Sequence, residues 1–460
     1  MCLSRIFLLE RIPINGVDEL IVNEAPPFRT RNWLSCGILL VIAVACALVW
    51  AARRETKTAK LIKQKLAELR EAGEPTTTED LAKRFPDPLP EEDAARLFAA
   101  AFAVATNSFR PGGVPVVDSS IANSVAIEPS VLSRLVTFCE STATLTNVIP
   151  RTISERARFP SHWRLGFTNS GGMNFIASRL LAQLITAQIV VAAEVGDTEA
   201  ATRWIEEGFH FSRTIPQEAS LVQHMIRRAI DGLFCGGVER ALTRTNFTDQ
   251  QLQRIAASVP PDDPEALKEC LRVERCMVVW AFDLARRGVN EEMLLGNKPR
   301  PWWERWWDRI RHGPLYTEED HLRCLRLCPA EIKSFDDPIK VQAQINAMSA
   351  ELRRPASSRL GAAITPNFTK AITVQFDTRA KIAVMKAALE VERHRLANAG
   401  ALPRSPLPPD IVTGQKLRLK PLPVGFTVYS VGSDGVDNGG ITRTNSGVQT
   451  NYDITFSIER

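Results

Sequence analysis

Several kinds of chemistry have no motif in this chain. It contains no CxxC pair, no HExxH, no GxSxG, no GxxxxGK[ST] loop and no GxGxxG after a strand-like run. The motif grounds for a zinc ribbon, a thioredoxin-type redox site, a zinc peptidase, an α/β-hydrolase elbow and a nucleotide fold are therefore absent. A dominant charge is lacking too: 57 Lys and Arg face 52 Asp and Glu, for a net +5. Nucleic-acid binding asks for a concentrated basic stripe, so no nucleic-acid partner is expected. The nine cysteines are scattered. His321, Cys324 and Cys328 have a metal-like spacing but no second pair of ligands, which reads as structural thiols. None of the six histidines falls in a nucleophile–base motif. A membrane-tethered enzyme of hydrolase class is the alternative reading. It requires a cleft in the folded body with paired titratable groups around His210, His224 or Glu206. The leading expectation is a non-enzymatic protein with no catalytic residue.

What the chain does have is one long hydrophobic run, Leu34–Ala52, without a charge and with Ser35 as its only polar side chain. At 1.5 Å of rise per residue such a run crosses a hydrocarbon core of ~30 Å as a helix. Trp33 and Trp50 stand where interfacial aromatics belong, and Arg29, Arg31, Arg53 and Arg54 bracket the run. A cleaved signal is the competing reading, but the 33 residues ahead of the run are long for a simple basic leader. A retained single-pass anchor is expected, with membrane lipid as its partner.

The remainder reads as mainly α, with a small C-terminal α+β module. Residues 1–33 form a tail, 34–52 the transmembrane helix, and 53–106 juxtamembrane helices with a Pro-rich linker. Residues 107–364 form a helical-repeat-like body. Its runs Met173–Val195, Thr198–Arg213, Leu221–Arg244, Asp249–Ala257 and Glu265–Arg287 have helical apolar spacing, the first two joined by Gly196-Asp197. Residues 365–460 hold one long helix, Thr369–Ala399, then alternating strands at Lys416–Lys420, Phe426–Val431 and Tyr452–Ile458. Thr78 is the expected cap of a short helix through Phe85, and Glu91–Thr106 reads as a single helix. Within the body, RPWWERWWDRIR places Trp302, Trp303, Trp306 and Trp307 on one helix face, flanked by Arg305, Arg309 and Arg311. That face either packs on the body or lies at a membrane or partner interface.

The C-terminal texture carries a resemblance. ALEVERHRLANAG-ALP, PPDIVTGQKLRLK and GFTVYSVGSDGVDNGG resemble the ending of type II secretion major pseudopilins. The anchor, helical body and this ending together resemble a family of uncharacterised membrane-anchored envelope proteins of planctomycete-like bacteria. The pseudopilin resemblance implies a shared small fold and a calcium site at Ser433, Asp434, Asp437 and Asn438, with calcium as the candidate cofactor. The pilin processing site is missing ahead of Leu34, so an assembly role does not follow. The lysines after the run favour a cytoplasmic body, whereas the resemblance implies an extracytoplasmic one at the inner membrane, and the latter is preferred. The identity of any protein partner is not legible in the sequence.

Overall fold

Polar residues just ahead of apolar-periodic runs set where most helices begin. Thr77, Ser220 and Thr248 each form a reciprocal capping box, with Asp80, Gln223 and Gln251. Asn174 and Asp197 accept from the N–H of Ala177 and Ala200. The computed structural model describes Ile42 and residues 56–108, 125–149, 154–167, 173–216, 220–263, 265–289, 300–327, 358–364, 368–432, 435–441 and 452–459. The expected tail and, Ile42 apart, the apolar run 34–52 lie outside the described residues.

The helices are α1 (Lys57–Glu71), α2 (Thr78–Arg84), α3 (Ala94–Leu97), α4 (Ala99–Ser108), α5 (Pro129–Ser141), α6 (Leu145–Val148), α7 (Phe175–Glu194) and α8 (Thr198–Arg213). They continue with α9 (Leu221–Arg244), α10 (Asp249–Ser258), α11 (Ala266–Arg286), α12 (Trp302–His312), α13 (Glu318–Leu327), α14 (Arg359–Ile364) and α15 (Phe368–Ala397). The strands β1 (Arg418–Pro421), β2 (Gly425–Ser430) and β3 (Ile454–Glu459) form an antiparallel sheet in the order β1-β2-β3. The protein is thus mainly helical with a small C-terminal antiparallel sheet. Two local expectations are corrected. Thr77, not Thr78, caps α2, because its hydroxyl reaches Asp80 N at 3.1 Å while the Asp80 carboxylate returns to Thr77 N. The run Glu91–Thr106 forms two helices, because Asp93 caps a first short one and the chain restarts after Phe98.

The Gly196-Asp197 turn works as its residues suggest. Gly196 adopts φ 78°, closing α7 while Asp197 N bonds back to Ala192 O, and the Asp197 side chain then opens α8. α7 packs against both α8 and α9. Gly208 on α8 lets α9 approach closely, since a Cβ there would sit 3.0 Å from the Phe234 ring. Among the described residues α7 is the one helix long and apolar enough to cross a membrane. Leu181, Leu184, Ile185 and Ile189 are fully buried in it, the pattern of a core helix.

One core runs from Ala94 and Phe98 through Leu181, Ile185, Phe209 and Phe234 to Val384 and Leu389 on α15 and Phe426, Phe456 and Ile458 on the sheet. The C-terminal helix and sheet therefore share this core with the preceding helices, and Ala380, Val412 and Ile454 form a small further cluster among themselves. Helix α9 also covers the free edge of β3: Ser457 N donates to Glu239 at 2.8 Å, and Thr243 donates to Ser457 O at 3.2 Å. The outward backbone groups of Ser457 are thus already taken.

A second cluster joins α1 to the body. Ile62 and Leu66 of α1 pack with Val278 and Phe282 of α11, Leu325 of α13 and Leu360 of α14. Gly73, at φ 72°, ends α1, and Glu74 then takes hydrogen bonds from Arg272 at 2.9 Å and Arg275 at 2.6 Å. His321 and Cys324, two of the metal-like trio, belong to this interior: His321 stacks on Phe282 at 4.6 Å and Cys324 is buried beside it. Cys328 lies outside the described residues. Burial pushes the thiols of Cys139, Cys235 and Cys276 up to about 12, where they are inert.

Candidate functional site

The helical spacing of α8 puts Glu206, His210 and Arg213 on one face, and α10 places Arg254, Ala257 and Ser258 opposite them. With Ser154, Glu155, Ala157, Thr214 and Pro261 these residues line a cleft of about 620 Å³. Its seam is closed by charge. Arg254 grips both oxygens of Glu206, at 2.9 and 2.7 Å, and reaches Glu199 at 2.7 Å. Gln251 adds hydrogen bonds to Thr198 and Glu199.

The remaining groups set what this cleft can do. Burial, helped by the charge of Arg213, lowers the His210 pKa, while Glu206 opposes both. The imidazole is therefore neutral at pH 7. Burial likewise lowers the Arg213 pKa against the pull of Glu155. The Thr214 and Ser258 hydroxyls donate to helix carbonyls, at Phe211 and Ile255. Glu206 is engaged by a bidentate arginine and the Thr214 and Ser258 hydroxyls by backbone, leaving Arg213, a neutral imidazole, Glu155 and Ser154 to present to a ligand. This set suits recognition of a polar group better than proton transfer.

His210 and Glu206 are thus brought together, but His224 is not. It sits buried on α9, bonded to Gln375 of α15 at 2.8 Å, and burial with the nearby Arg228 charge lowers its pKa to about 3. The helical spacing of Glu206, His210 and Arg213 was readable in sequence. That Arg254 closes on Glu206 from another helix was not.

The Gly-Asp loop is described from residue 435 onward, and Ser433 and Asp434 lie outside the described residues. Asp437 pairs with Arg418 at 3.2 Å and accepts from Gly439 N at 2.9 Å. Asn438 donates from its backbone to Asp453 at 3.2 Å, and Gly440 does so at 2.6 Å. The loop thus brings backbone N–H groups together on the Asp437 and Asp453 carboxylates. No group of three or more His, Cys, Asp or Glu placed to hold a metal occurs among the described residues. Asp453 is buried, so Asp453→Ala is expected to cost about 2 kcal/mol in urea unfolding by orphaning two N–H donors.

The tryptophan helix is where the structure decides between two expectations. α12 presents Trp302, Trp303, Trp307 and Ile310 at 73, 50, 53 and 57% exposure. Each of these three indoles is at least half exposed. The side chains of Arg305, Trp306 and Arg309 lie outside the described residues.

No family model, no curated protein and no solved structure matches this chain.

Proposed function

We propose that this chain is a non-enzymatic, single-pass membrane-anchored protein of the cell envelope, whose helical-repeat-like body is a protein-interaction module. One observation carries the reading. The apolar run 34–52 is followed after four residues by α1, and α1 is locked into the body by Ile62 and by the Glu74–Arg272–Arg275 network. A flexible linker would leave the body free to wander. Here α1 is itself part of the body, and only residues 53–56 stand between it and the run in sequence. The cleft of Arg213 and His210 then serves as a recognition surface for a polar partner segment. The body is assigned to the extracytoplasmic side of the inner membrane.

Fractionation with protease protection tests this. The chain is expected to resist alkaline carbonate extraction, and its body to be digested in spheroplasts with an intact inner membrane. Release by carbonate would remove the anchor, and protection of the body would reverse its side.

A second reading, a membrane-tethered hydrolase, is favoured by the meeting of His210 and Glu206 in one cleft. It predicts turnover of ester or peptide substrates that His210→Asn abolishes. No turnover by the parent chain, or equal turnover by the variant, would remove it.

A further inference from the structure

We propose that α12 lies in the headgroup layer of an anionic phospholipid bilayer, as a second attachment in addition to the anchor. The inference rests on the anchored reading above and deepens it.

At about 100° per residue, Trp302, Trp303, Trp306, Trp307 and Ile310 fall within an arc of roughly 140° on α12, while Glu304, Arg305, Asp308, Arg309 and Arg311 fill the rest. The described members of that arc are at least half exposed. Indoles favour the interface, where the ring meets acyl chains and the N–H meets water and headgroups. Arginines at the margins of such a face reach phosphates.

Position in the fold identifies the occupant. Gly313, at φ 81°, turns the chain out of α12, and the next residues are pinned: Arg359 N donates to Pro314 O and Leu360 N to Leu315 O, at 3.1 and 2.9 Å. Leu315 and Tyr316 pack in the same cluster as Ile62 of α1. The residues that follow α12 therefore belong to the same apolar cluster as Ile62 of α1, and α1 begins four residues after the apolar run in sequence. The first half of α1 adds charge of the matching sign: Lys57, Lys60 and Lys63 are exposed, and Glu68 is the helix's first acid. Exposed lysines on α1 and an exposed aromatic face on α12 are together complementary to an anionic membrane. An eleven-residue helix would bind lipid weakly alone. A tether raises its effective concentration at the bilayer, so weak intrinsic affinity suffices.

The full chain is reconstituted in vesicles of phosphatidylcholine with or without phosphatidylglycerol, the acyl chains brominated near the headgroup. Tryptophan emission is compared for the parent and for Trp302→Phe/Trp303→Phe/Trp307→Phe. In phosphatidylglycerol vesicles the parent is expected to show a quenched component, about a third of its emission, that the variant lacks and that high salt reduces. Identical quenching of the two chains would overturn the proposal. Equal quenching without phosphatidylglycerol would overturn its anionic element. An α12 component that responds to protein concentration and escapes bromine would assign the face to a second copy of the chain, which also overturns it. Co-flotation reads the anchor separately. A chain that floats with α12 unquenched defeats this inference alone, and a chain that does not float defeats both.

Discussion

Replacing Glu74 with alanine is expected to lower the free energy of unfolding at pH 7 by about 3–5 kcal/mol and to open α1 to trypsin. The size follows from what the carboxylate leaves behind. Arg275 is only 1% exposed, and its charge is answered by Glu74 at 2.6 Å, with Pro75 O as a further acceptor. Arg272 grips the same carboxylate through two nitrogens. Without Glu74 a guanidinium is left buried and uncompensated. Burial alone would raise the Glu74 pKa, yet hydrogen bonds from Arg272 and Arg275 and their charges outweigh it and hold the group down at about 2. A depressed carboxyl stabilises above its unfolded value of 4.5 and loses that contribution as pH falls towards 2, a gap of roughly 3 kcal/mol. The difference between parent and variant in urea unfolding should therefore shrink between those pH values. The more exposed Arg84–Glu269 pair supplies the contrast: Arg84→Ala is expected to cost under about 1 kcal/mol. A small cost for Glu74→Ala would mean that α1 is held by its apolar face alone.

Glu274→Gln is expected to stabilise the protein at pH 8 by roughly 3 kcal/mol and to leave it unchanged at pH 4. Glu274 is buried on α11 and accepts from Leu221 N, the first residue of α9, at 2.5 Å. Burial raises its pKa from 4.5 to about 7 despite that hydrogen bond. Below 4.5 both the folded and unfolded states hold the proton. Between 4.5 and about 7 only the folded state does, so its stabilising contribution falls as pH rises and is lost once the folded group ionises. Glutamine retains the carbonyl acceptor for Leu221 and cannot ionise. His224 and His321 act in the opposite sense. Burial is the leading cause lowering their pKa values to about 3 and about 4, so they withdraw stability as pH falls below the usual 6.5. Because those two are common to both proteins, the parent–variant difference isolates Glu274. A flat difference between pH 4 and pH 8 would show the carboxyl ionised throughout.

Both substitutions act on contacts that no local pattern announces. Glu74 and Arg275 are 201 residues apart, Leu221 and Glu274 are 53 apart, and His224 and Gln375 are 151 apart. In sequence Glu274 is one more acid on an amphipathic helix, and His224 is one more histidine. By contrast, Thr198–Arg213 and Leu221–Arg244 run between the residues that periodicity and capping indicate. The three strands fall within two residues of their alternating runs for the same reason.

The division follows the range of the forces. Caps, turn glycines and apolar periodicity act within one or two helical turns, so the sequence by itself determined the mainly helical body, the Gly196-Asp197 hairpin and the small closing sheet. It also determined that Trp302, Trp303, Trp306 and Trp307 share a face, since that is helix geometry alone. Whether the face is covered depends on which surfaces arrive opposite it, and only the tertiary structure decided that Trp302, Trp303 and Trp307 stand exposed. The same holds for the closing of Arg254 on Glu206, the burial of Glu274 and the core that joins helices to sheet. Desolvation and ion pairing are properties of the assembled neighbourhood, and that neighbourhood is built from segments far apart along the chain.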